Sequence, residues 1–166
     1  MNKKNIIAFA VVIIFFAAVF CFVKFETPTQ PPPYQGGGAE SGGGQIKSVN
    51  IAGQSVKVDL ALTQAEQEQG LSGRKNLLPN TGMLFVFDVP GKYLFWMKDM
   101  NFAIDMIWLT KDMKVDYIAK NAAPASYPAT FGPGTQDGLA SYVLEVPAGF
   151  SDKNNLKIGD SVNFTY

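Results

Sequence analysis

Two carboxylates stand where apolar side chains are expected. Asp105 interrupts Ile104-Asp105-Met106-Ile107-Trp108, and Glu145 interrupts Tyr142-Val143-Leu144-Glu145-Val146. A carboxylate in such a run is outward-facing, paired, or lining a pocket, because an unpaired buried one is costly and its pKa rises. Together the two could act as acid and base in a hydrolase or lyase. Arg74 follows a glycine in a loop, where its planar guanidinium could grip a carboxylate or phosphate, or lock the loop to Asp105 or Glu145. Trp96 and Trp108 could make a stacking platform for a sugar ring, with Lys98 and Asp99 just beyond Trp96; packing in the core is the competing role for Trp96. Ser72 has no histidine to activate it, since the chain contains none, which leaves only a Ser–Lys dyad with Lys98. Met83, Met97, Met100, Met106 and Met113 could serve as thioether ligands for Cu(I), but methionines also fill irregular cores, and no metal or other cofactor is expected.

Absences narrow the chemistry further. The lone cysteine, Cys21, lies in an N-terminal apolar run, so the folded part has no cysteine nucleophile, no disulfide, and no His- or Cys-ligated zinc. Lys plus Arg number 14 and Asp plus Glu 14, scattered without blocks of one sign, so nucleic acid is not an expected partner.

The elements that must position these residues centre on Gly82 to Leu109. This stretch reads as three consecutive strands, MLFVF, YLFWM and AIDMIWL, separated by turn residues including Asp88-Val89-Pro90-Gly91. Strands so apolar need cover on both faces. Upstream, residues 46–51 and 55–62 alternate around Ala52-Gly53-Gln54 as a hairpin, and Thr63 with Glu66 forms a capping box for a short helix ending at Gly70 or Gly73. Downstream, 113–119 pairs with 106–110 across Lys111-Asp112. Residues 121–138 form a long Pro/Gly-rich loop, expected to be either a functional flap or disordered. Residues 140–146 form a strand, 147–155 hold a helical turn, and 161–166 form the closing strand. The sum is a mainly β (α+β) fold, a small closed or half-closed barrel with one or two short helices.

The barrel is expected to be tethered. Residues 6–23 lack any charge, follow Lys3 and Lys4, and reach the lower limit for a spanning helix of roughly 17–25 residues. An uncleaved signal-anchor over 1–25 fits best. Near the end of the apolar run, Ala17-Ala18-Val19 and Ala18-Val19-Phe20 lack the clean A-x-A form of a cleavage site, and bulky Phe20 precedes Cys21 where lipidation needs a small residue. All three routes export the domain, so a single-pass cell-membrane protein with its C-terminal domain outside the cytoplasm is expected. Residues 26–45, stiff with proline and then flexible with glycine, are a linker spanning on the order of 25 Å or more, and 46–166 is the domain.

Six segments, in order, carry a resemblance: Gly70-Leu71-Ser72-Gly73-Arg74, Gly82-Met83-Leu84-Phe85-Val86-Phe87, Phe95-Trp96-Met97-Lys98, Ile104-Asp105-Met106-Ile107, Tyr142-Val143-Leu144-Glu145-Val146 with Ala148-Gly149, and Gly159-Asp160. Over Val49 to Phe164 the chain resembles the domain-of-unknown-function family 192. The resemblance implies a compact β-rich, barrel-like domain, often behind a signal or anchor segment in bacteria and archaea, with no assigned activity. Two departures are visible: Asp99-Met100 replaces the usual Asn-Thr, and Ala103-Ile104 the usual Pro-Leu.

Three functional expectations follow. The first is a non-enzymatic module that binds a cell-envelope saccharide or small anion at Arg74, Trp96, Lys98, Asp99 and Asp105, under the 121–138 loop as a lid. The second is the Asp105/Glu145 hydrolase or lyase. The third is a structural or protein-interaction domain.

Overall fold

The structure, a computed structural model, describes residues 45–134 and 138–166. The expected anchor and almost all of the linker lie outside the described residues, among which no helix is long and apolar enough to cross a membrane. The elements are β1 (Ser48–Ile51), β2 (Gln54–Ala61), α1 (Gln64–Gln69), β3 (Thr81–Gly91), β4 (Phe95–Trp96), β5 (Ile104–Leu109), β6 (Val115–Ala122), a 3-10 turn (Pro124–Ser126), β7 (Thr130–Phe131), β8 (Ala140–Pro147), α2 (Phe150–Lys153) and β9 (Val162–Thr165).

Seven strands form one sheet in the order β6-β5-β8-β3-β2-β1-β9. The β1–β2 hairpin turns where Ala52-Gly53 predicts it. The capping box is present: Glu66 N–H donates to Thr63 Oγ1, and Glu66 Oε2 accepts from Thr63 N–H. With α1 as the crossover, β2 and β3 run parallel, and Gln67 fixes the helix by donating to the Val86 carbonyl at 2.9 Å.

The sheet curls until its outermost strands meet at one end. There Val115 N–H donates to Asp160 O at 2.9 Å, and Val162 N–H donates to Met113 O at 2.9 Å. The result is the expected half-closed barrel with two short helices. Its interior holds Val49, Ile51, Val56, Leu84, Ile107, Leu144, Val146 and Val162, all essentially inaccessible. The opposite face of β3, β5 and β8 is covered as well. Met83, Phe85, Met106, Trp108 and Val143 lie beneath Leu71, Leu77, Phe95 and Phe102 from the connecting segments. Coverage on both sides explains why these strands read as unbroken apolar runs.

The three-consecutive-strand expectation needs correction. β3 continues through the Asp88–Gly91 turn signal with an irregularity after Val86. The YLFWM segment leaves the main sheet, so that only Phe95–Trp96 is strand, paired with β7 in a separate two-stranded ribbon. β8 takes the place between β3 and β5.

Gly82 shows how tightly β3 and β8 fit. A Cβ there would stand 2.5 Å from the Glu145 carbonyl oxygen, which is backbone and cannot step aside. Gly82→Ala is therefore expected to cost roughly 1–3 kcal/mol, read as a lowered midpoint of chemical unfolding.

Candidate functional site

Asp105 and Glu145 lie on opposite faces of the sheet. In the β5–β8 register Asp105 faces Val146 and Met106 faces Glu145. Asp105 therefore shares the interior face with Val146, and Glu145 the outer face with Met106 and, across β3, Met83. The expectation that the two acids form one acid–base pair is corrected by this alternation, because the sheet itself separates them.

Asp105 is fully buried and fully engaged. Its Oδ1 accepts from Asn121 N–H at 2.8 Å and Gly149 N–H at 3.1 Å, and its Oδ2 accepts from Ser151 N–H at 2.8 Å. The first donor belongs to a bulge in β6: Ile104 faces Ala122 but Met106 faces Ala119, which leaves an extra residue near Asn121. The other two donors are free N–H groups at the start of α2. One carboxylate thus satisfies a bulge and a helix start, and it does so fully buried on the interior face of the sheet. Its expected place in a binding site with Arg74 and Trp96 does not hold.

Arg74 pairs with neither expected acid. Its guanidinium donates to Asp59 Oδ2 at 2.8 Å, with side chains 39% and 62% exposed. Asp59 carries no distinguishing mark in the sequence; it is one of the outward positions in the alternation of β2, Val56-Lys57-Val58-Asp59-Leu60. The Arg74 loop is clamped to the residues after β4 by three bonds: Gly73 N–H to Asp99 O at 2.9 Å, Asn101 Nδ2 to Arg74 O at 2.9 Å, and Ser72 Oγ to Lys98 O at 2.9 Å. The last of these excludes the Ser–Lys dyad as drawn, since the serine hydroxyl binds a backbone carbonyl rather than the Lys98 amine.

Glu145 is buried, at 5% exposure, and its Oε2 has no hydrogen-bond partner. Desolvation pushes its carboxyl up to about 8, and the Arg74 charge opposes that rise. Burial thus favours the neutral form of the group well above the usual carboxylate range.

Trp96 points outward. The β4–β7 ribbon sends Phe95 inward, edge-on to Phe85 at 4.8 Å and to Trp108 at 5.6 Å, and leaves Trp96 53% exposed. Trp108 is fully buried in the core, so the expected two-tryptophan platform does not form; its Nε1 donates to the Tyr93 carbonyl at 2.8 Å and so ties the ribbon to the core. Tyr127, from the long loop, meets Trp96 edge-to-face at 6.0 Å, and Lys98 Nζ stands 5.9 Å from the indole centroid. Leu94 is exposed on the same stretch. The structure thus brings Trp96, Lys98, Asp99 and the Arg74 backbone to one side of the domain, and adds Tyr127. No sequence pattern flagged Tyr127, because its partner lies far away in the chain. The described part of the 121–138 loop is built into this surface through β7 rather than arching over it as a lid.

Comparison with known proteins fits this architecture. A crystal structure of a proposed transcription regulator from Sinorhizobium meliloti 1021 aligns with a TM-score of 0.63 at 29% identity, covering 70% of this chain and 90% of that one. A protein of unknown function from Novosphingobium aromaticivorans DSM 12444 aligns with a TM-score of 0.65 at 30% identity, covering 80% and 92%. Among curated proteins none matches. The family profile described as DUF192, uncharacterized ACR, matches residues 47–164. The chain belongs to the DUF192 family.

Proposed function

We propose that this chain is a non-enzymatic, membrane-tethered module that binds cell-envelope saccharide outside the cytoplasm. Residues 6–23 serve as the membrane anchor and the Pro/Gly linker as the tether. The observation that carries the reading is the exposed Trp96 face on a ribbon locked to the core, bordered by Tyr127 and Lys98. An exposed aromatic costs solubility and adds little to stability, so its presence on a rigid support fits a contact surface. Flat indole and phenol rings suit the CH faces of a sugar, and the Lys98 ammonium suits its hydroxyl or carboxylate groups. The balanced charge of the chain gives no support to a nucleic-acid role.

The test is a fluorescence titration of the full chain in detergent micelles with N-acetylglucosamine oligomers. Wild-type emission is expected to shift on binding. Trp96→Ala should weaken binding by about 30-fold, roughly 2 kcal/mol, while unfolding stability stays within about 0.5 kcal/mol. Unchanged saccharide affinity in Trp96→Ala, or no response of the wild type to any oligomer, overturns the reading.

A further inference from the structure

The Arg74–Asp59 ion pair lies between two clefts. One, of about 370 Å³, runs along α1 and is lined by Arg74, Asp59, Gln69 and Met83. The other, of about 320 Å³, is lined by Arg74, Asp59, Lys57 and Gly82. Both residues of the pair line both clefts. A bridge this exposed contributes roughly 0–1 kcal/mol, so it opens easily, and through these shared lining residues the two clefts are adjoining parts of one groove.

Glu145 lies against the wall of that groove. It stands in direct cross-strand register with Met83, a wall residue, and the Arg74 charge acts on it. The strands on either side present Met83 and Met106 to it, both uncharged. Its Oε2 lacks any partner although the residue is 95% buried by its 5% exposure. Buried polar atoms are nearly always satisfied. An orphan acceptor behind a flexible methionine is hydrogen-bonding capacity that an incoming donor can use.

We propose that this groove is a binding site for a small zwitterion of the amino-acid class. The ligand carboxylate displaces Asp59 from the Arg74 guanidinium, and the ligand ammonium reaches Glu145 Oε2 past a shifted Met83. Both charges of the ligand are then matched, and the buried acid gains the partner it lacks. The proton balance is explicit: the protonated Glu145 carboxyl loses its proton to the buffer as the ammonium takes its place, so binding near pH 7 releases one proton. Asp59 acts as the built-in competitor for Arg74. The groove shares the Arg74 loop with the Trp96 surface but uses none of Trp96, Lys98 and Tyr127, so it is tested independently of saccharide binding.

The experiment is calorimetric titration of the full chain in micelles at pH 7 with glycine, L-alanine, D-alanine and β-alanine, with acetate and methylamine as half-ligands. It is run in phosphate and in Tris, whose ionisation enthalpies differ. Saturable heat is expected for at least one amino acid and for neither half-ligand, and the two buffers should differ by the heat of one proton. Glu145→Gln should abolish the buffer difference and weaken binding by about tenfold or more. Asp59→Asn, a surface change that leaves the fold intact, should strengthen binding by up to about fivefold. Absence of heat for all four amino acids, equal heats in the two buffers, or affinity unchanged in Arg74→Gln overturns the proposal. A response retained in Trp96→Ala separates it from saccharide binding.

Discussion

Asp105→Ala is expected to destabilise the domain by about 4 kcal/mol, the largest effect of any single change considered. The carboxylate accepts three backbone N–H donors, at 2.8, 3.1 and 2.8 Å, from two separate segments. Hydrogen bonds to a charged group contribute about 1.5–3 kcal/mol each, and removing the acceptor also leaves buried donors unsatisfied. The sum is less than additive, because β6 and the start of α2 can relax toward water once released. Asp105→Asn keeps the shape but turns an amide N–H2 toward donors, so it should recover only part of the loss. Asp152→Ala is the matched control: its partner Lys120 and Asp152 itself are 43% and 60% exposed, and its loss should stay within about 0.5 kcal/mol. Urea unfolding midpoints of the three variants decide the matter. A loss under about 1 kcal/mol for Asp105→Ala would show that the bulge and helix start hold without the carboxylate.

The second large effect is on pH dependence. Glu145 has its carboxyl pushed from 4.5 up to about 8 by burial. Between those values the folded chain holds a proton that the unfolded chain has released, so stability falls as pH rises, by about 1.4 kcal/mol per pH unit. This contribution is fully present below 4.5 and lost once pH has passed about 8. At pH 7 the loss is on the order of 3 kcal/mol. Glu145→Gln cannot ionise. Unfolding free energies of wild type and variant, measured from pH 5 to 9, should therefore diverge as pH rises, the variant being the more stable above pH 7. Parallel curves would show that the acid is solvated or paired in a way its burial does not indicate. A stabilising variant that also loses amino-acid binding would fit the general trade of stability for a functional, unsatisfied group.

Local signals are legible in the sequence. The Thr63/Glu66 capping box predicts α1, which ends at Gly70 as expected. The Ala52-Gly53 turn, the β5–β6 pairing of Met106 with Ala119, the turn of helix within 147–155 and the closing strand are all present. Each depends on neighbours in the chain. The remaining features are set by distant contacts. Alternation places Phe95 and Trp96 on opposite faces, but which face meets the core depends on Phe85 and Trp108. The parallel pairing of β2 with β3 and the insertion of β8 between β3 and β5 are long-range choices with no local mark. Asp105 and Glu145 stand out in the sequence by their apolar neighbours, which leave outward, paired and pocket-lining positions open; both are buried. Their separation follows from register. Asp105 faces Val146 rather than Glu145, and a shift by one residue inverts every side chain of a strand. Arg74 found a partner in Asp59, a residue that reads as an ordinary exposed position.

The pairing of β1 with β9 has a kinetic consequence. Ser48 lies opposite Thr165, and Ile51 opposite Val162, so the first strand of the barrel finds its second neighbour only in the last. Closing so long a loop carries a large entropic barrier, and contacts this non-local slow folding. A chain emerging from a ribosome or a translocation channel can assemble the β1–β2 hairpin early and the β3–β8–β5–β6 sheet once β8 is out. The interior stays open along the flank of β1 until β9 has arrived. The domain therefore passes through a stage in which a strand edge and an apolar interior face the surroundings together, the combination that chaperones recognise.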